Sequence, residues 1–142
     1  MQKTYKLKLT PQTLKYLKKI KRKYKVKLSV GPIQDFDLEE FGIVPQPGYF
    51  IVSEGLTYIY VNNRQPYKSC HDLVVLHEIG HLLMNRYNFN EYQNQEESYA
   101  NGFALSMATE LGIKTSQEMI DEMGEYSRMN FVRNTENRKK RK

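Results

Sequence analysis

Apolar residues along this chain change their spacing several times, and each change marks an element. Thr10-Pro11 offers a helix cap with proline at the first helical position. Beyond it, Leu14, Leu17, Ile20 and Tyr24 recur at helical spacing among lysines, an apolar stripe that needs a surface to pack on. Val26 to Val30 alternates with a period of two and predicts a strand closed by Gly31-Pro32. The stretch from Gln34 to Gly48 is acidic and rich in turn formers, and reads as a loop with one short helix around Leu38. Tyr49 to Ser53 and Leu56 to Val61, rich in β-branched and aromatic residues, flank Glu54-Gly55 and predict a hairpin.

The second half of the chain is helical in pattern. Ser69 to Tyr87 predicts a helix whose buried side holds Leu73, Leu76, Ile79, Gly80 and Leu83. A polar loop from Asn88 to Gln95 leads into a helix from Glu96 to Leu111, stopped by Gly112. Thr115 followed by Glu118 is a capping-box signal for a last helix reaching about Met129. The sum is a small α+β single domain over residues 1–132: an N-terminal helix, a short three-stranded sheet with a hairpin, two central helices and a C-terminal helix. Residues 133–142 carry no core-forming pattern and predict a disordered tail.

Composition narrows the setting. A hydrophobic share of 39% suits a folded globular chain. The longest aliphatic run, Leu73 to Leu76, is far too short for a membrane span. The basic segment from Met1 to Lys8 lacks the apolar stretch of a secretion signal. The single cysteine, Cys70, excludes an internal disulfide and suits a reducing compartment. The expected location is the cytoplasm.

The net charge of +6 is unevenly spread. Residues 1–34 hold eleven Lys/Arg and no acid, and residues 133–142 hold six basic residues and Glu136. Between them, five basic and fifteen acidic residues leave a net of about −10. The basic ends predict either a solvated helix face with a frayed terminus or a weak attraction for nucleic acid or an acidic partner.

The chemistry concentrates at His77-Glu78-Ile79-Gly80-His81, an HExxH pattern. Residues four apart on a helix share a face, so both imidazoles can aim at one point, as a zinc pair requires. Glu78 lies on the flank, where its carboxylate can serve a water as general base. Three His and twelve Glu placed at random would generate this pattern about once in 200 chains of this composition.

A catalytic zinc takes three protein ligands and leaves one position open. No histidine follows His81, so a carboxylate or amide is expected. Glu97 fits best, because Asn101 stands four residues on and can orient a ligand histidine from outside the metal sphere. Glu96, about 100° round the helix, is the competing ligand. Both acids could also simply complement a helix N-terminus.

The run His77 to His81, with Glu97-Ser98-Tyr99-Ala100-Asn101-Gly102-Phe103-Ala104 after it, resembles the HExxH and E-x-x-A-N-x-F-A motifs of the ImmA/IrrE-type metallopeptidases. The resemblance covers roughly residues 10–110, including the opening helix and strand and the hairpin. Beyond Ala104 the chain runs Leu105-Ser106-Met107-Ala108-Thr109-Glu110 where the family often has Leu-Met-Pro. The resemblance implies a zincin-like fold, Zn²⁺ held by His77, His81 and Glu97, and Glu78 as catalytic acid/base. It also implies a protein substrate, in many members a DNA-binding helix-turn-helix repressor of a phage or mobile element.

Two further functional classes remain open. One is a regulatory partner- or DNA-binding protein on the same scaffold with little hydrolysis, and the other is a structural zinc site. An extended substrate could add to the Leu56–Val61 strand if that strand is an open edge. His71, two turns before Glu78, is expected at the surface, as a cap, or at the cleft rim. Cys70, in the position before it, is expected to be an ordinary small residue, although a helix N-terminus can lower a thiol pKa.

Overall fold

The computed structural model describes residues 4–33, 47–64, 67–86 and 93–123, and only the backbone of 85, 86 and 93–97. The expected short helix near Leu38, the end of the last helix beyond residue 123, and the basic tail lie outside the described residues.

Helix α1 spans Pro11–Tyr24, capped by Thr10, whose side chain accepts from the Thr13 N–H. Its buried residues are Thr13, Tyr16, Leu17 and Ile20, whereas Leu14 is 47% exposed. The predicted stripe is therefore rotated, because Tyr16 rather than Leu14 meets the core. Lys25 ends the helix in the left-handed region at φ 52°. Strand β1 (Lys27–Pro32) follows, then the hairpin of β2 (Gly48–Ser53) and β3 (Leu56–Val61). Glu54 and Gly55 both take positive φ, 52° and 80°, the conformation a two-residue hairpin turn demands.

The sheet order is β1-β3-β2, with β3 parallel to β1 and antiparallel to β2. One face, including Leu28, Thr57, Ile59 and Val61, packs on the helices. The other carries Tyr49, Tyr58 and Tyr60, with the Tyr49 and Tyr60 rings stacked at 4.9 Å and the Tyr58 and Tyr60 rings tilted at 35°, 4.3 Å apart. The expectation that Leu56–Val61 could offer an open edge is corrected, since β3 is paired on both sides and β2 lies at an edge.

Helix α2 (His71–Arg86) is the centre of the molecule. Every residue from His71 to His81 is buried, as expected of a helix enclosed on all sides rather than on one stripe. Helix α3 (Gln93–Glu110) begins three residues earlier than its apolar pattern predicted, so Gln93 to Gln95 are helical. It ends at Gly112, φ 74°, where the Ile113 N–H reaches back to the Ala108 carbonyl at 2.8 Å, a Schellman closure.

The last described helix, α4, covers residues 117–123. Its cap is Ser116, whose Oγ accepts from the Met119 N–H at 3.2 Å. The capping box predicted on Thr115 and Glu118 does not form, because Glu118 instead pairs with Lys68 at 3.0 Å. The whole is a small α+β fold of four described helices and one mixed sheet. No helix among the described residues is long and apolar enough to cross a membrane.

Candidate metal centre

Burial sets this site before chemistry does. His77, Glu78 and His81 are only 6%, 5% and 8% exposed, and a polar group removed from water needs partners. Their helix is held between the sheet and α3 by Leu76 and Ile79, both fully buried. The Nε2 atoms of His77 and His81 converge to 3.0 Å, with the rings edge-on at 77°. Two nitrogens bound to one tetrahedral zinc at about 2.0 Å stand about 3.3 Å apart. The observed separation suits a shared ion or one N–H···N hydrogen bond, and two imidazole nitrogens are donors that a zinc ion accepts.

Strand β2 forms the opposite wall. Phe50 lies beside His81, with ring centroids 6.5 Å apart. Gly48 marks a close approach: a Cβ there would stand 2.4 Å from Val74 Cγ1, 2.8 Å from the Tyr60 carbonyl oxygen and 3.9 Å from Glu78 Oε1. Any side chain larger than hydrogen would drive β2 off α2, which fixes the Glu78 carboxylate next to the edge strand. In the sequence Gly48 looked like one more turn former, and nothing in its neighbours signals this contact.

The second close approach is at Gly80, where a Cβ would meet Ala100 Cα at 3.1 Å and Phe103 at 3.3 Å. Helices α2 and α3 therefore cross backbone to backbone at Gly80 and Ala100. Leu73, seven residues earlier in α2, lines one hollow with Ala104 and Leu105, so the helices run antiparallel. The turn of α3 before Ala100, which carries Glu96 and Glu97, consequently lies level with the turn of α2 that begins at His81. The side chains of Glu96 and Glu97 lie outside those described. Among the described residues no three His, Cys, Asp or Glu side chains gather around a point. Asn101 is half-buried on α3 and lines the same hollow as Leu73, one turn before His77.

His71 departs from expectation. It is fully buried, not a surface or rim residue. Its Nδ1 accepts from the Lys8 N–H at 3.0 Å, which leaves Nε2 to donate to the Tyr67 carbonyl at 2.9 Å. This is the tautomer in which both ring nitrogens have backbone partners. Asp72 beside it accepts from the Thr10 N–H at 3.0 Å. A chain of ties thus fastens the N-terminal arm to the start of α2.

Glu122 of α4 is the residue that sequence reasoning missed. Its carboxylate accepts from the N–H groups of Ser69 and Cys70, at 3.1 and 3.2 Å, and from Ser69 Oγ at 2.6 Å. An acid at a helix N-terminus satisfies orphan donors and complements the dipole, but this one arrives from 50 residues downstream, which no local pattern reveals. Cys70 is fully buried. Burial, and then the Glu122 charge and hydrogen bond, push its thiol well above the ordinary range, so the helix N-terminus does not activate it.

Compared with protein-family models, curated proteins and solved structures, the chain finds no match.

Proposed function

We propose that this chain is an intracellular zinc-dependent metallopeptidase of the ImmA/IrrE type, zincin-like in fold, that cuts a protein substrate. The observation that carries the reading is the convergence of two buried imidazole nitrogens to 3.0 Å on a helix whose next residue, Glu78, is itself buried. A pure binding scaffold has no need of an acid at that position. His77, His81 and Glu97 would hold the ion, with Asn101 outside them. The antiparallel crossing at Gly80 and Ala100 supports a ligand from the turn of α3 that carries Glu96 and Glu97, and the motif resemblance favours Glu97 of the two.

Bound zinc supplies a Lewis acid that polarises a carbonyl and lowers the pKa of water. Glu78 accepts the proton of the attacking water and returns it to the departing amine. An extended substrate is best placed along the edge of β2, where main-chain hydrogen bonds would hold it between Phe50 and the Glu78 carboxylate. A helix-turn-helix repressor of a mobile element is the substrate that the motif resemblance favours.

The test is co-expression of the chain, wild type or Glu78→Gln, with repressors encoded beside it. The expected result is a fragment seen only with wild type, and a rate at least about 100-fold lower for the variant. A folded, zinc-loaded Glu78→Gln protein that cuts at the wild-type rate would overturn the reading. The competing class, a partner- or DNA-binding regulator, requires no fragment and an output unchanged by Glu78→Gln.

A further inference from the structure

A second surface stands apart from the candidate metal centre. Lys15, Lys18, Lys19 and Arg22 of α1 fall at i, i+3, i+4 and i+7, a stripe of four cations about 10 Å long. The helix contains no acid to relieve them, and like charges at i and i+4 oppose helix formation. The stripe forms one wall of an open groove of about 740 Å³. The half-buried Met107 and Leu111 contribute apolar surface to it, with the buried Tyr16 beneath, and Glu110 of α3 is its only acid among the described lining residues.

From this juxtaposition we infer that the groove between α1 and the C-terminal end of α3 is a docking site for an acidic amphipathic helix of a partner protein. Charge complementarity selects the sign, since four cations face one carboxylate. The apolar surface selects the class. A phosphate backbone has nothing to offer Met107 and Leu111, which an apolar side chain can cover. A helix with acids on one stripe and leucines beside it satisfies both walls, the usual way such a helix lies in a groove. Methionine adapts its shape to a bound apolar side chain. Glu110 lies about 20 Å along α3 from Glu97, so the groove can be occupied independently of the metal site.

The full chain is titrated with three fluorescein-labelled probes: a synthetic amphipathic Glu/Leu helix, a poly-glutamate of equal charge, and a duplex DNA of 20 base pairs. The Glu/Leu helix is expected to bind, with poly-glutamate and DNA at least about tenfold weaker. Lys18→Glu combined with Arg22→Glu, checked for native circular dichroism, is expected to weaken the Glu/Leu helix by about tenfold or more. Glu110→Lys, a separate surface change, is expected to tighten it. The proposal is overturned if the Glu/Leu helix does not bind, or if charge reversal and Glu110→Lys both leave its affinity unchanged. It is also overturned if poly-glutamate binds equally well, or if DNA binds as tightly and responds to the same variants, which would make the groove a nucleic-acid site.

Discussion

At the scale of single residues, the candidate site depends on which carboxylate joins two imidazoles. Glu96 and Glu97 differ only in helical phase, and that difference is measurable. Glu97→Gln is expected to lose zinc to a chelator at a concentration where wild type and Glu96→Gln keep it, as read by elemental analysis. The reverse order would move the ligand to Glu96 and separate this chain from the motif it resembles. Cys70 gives a prediction of the opposite kind, an absence of reactivity. Because burial keeps the folded thiol protonated, alkylation at pH 8 is expected only as fast as the chain unfolds. The sign of the linkage is fixed by the same shift. Below the ordinary thiol value of about 8.5, neither state releases the proton and stability is unaffected. As pH rises above that value, only the unfolded chain releases it, so stability falls. Cys70→Ser should remove that part of the alkaline loss.

At the scale of elements, the start of α2 is governed by other segments. Glu122 of α4 satisfies its first N–H groups, while His71 and Asp72 receive hydrogen bonds from Lys8 and Thr10. Replacing Glu122 with Gln keeps the shape but removes the charge from two backbone hydrogen bonds and the helix dipole. The expected loss is about 1–2 kcal/mol in urea unfolding, with zinc content per folded molecule unchanged. A variant as stable as wild type would mean that Ser69 and Cys70 find equivalent partners in water.

At the scale of the molecule, the N-terminal arm closes the fold. Thr4 bridges Arg64, Tyr5 donates its N–H to the Asn63 carbonyl at 2.8 Å, and Lys8 reaches His71. Arg64, only 7% exposed, donates in turn to the Ile33 carbonyl at 2.8 Å. Deleting residues 1–8 would leave His71 Nδ1 and the Asn63 carbonyl without these partners. The expected cost is about 3 kcal/mol, from two or three lost hydrogen bonds and the half-buried Leu7, measured as a lower Tm. The zinc content of the folded fraction should stay the same. Loss of zinc at full stability would instead place the arm in the site.

What the sequence determined by itself is whatever depends on neighbours along the chain. The helix from Pro11, the hairpin at Glu54-Gly55, the stop at Gly112 and the placing of His77 and His81 on one face all follow from local backbone preferences and helical phase. What the tertiary structure decided is whatever depends on residues meeting across the fold. These include Gly48 against Val74, Gly80 against Ala100, Glu122 on the N-terminus of α2, the burial of His71, and β3 as the central strand. Local rules act over about one turn or one hairpin, whereas these contacts join positions 20 to 60 residues apart. Only the packed chain brings them within a few ångströms, so no reading of periodicity could have found them.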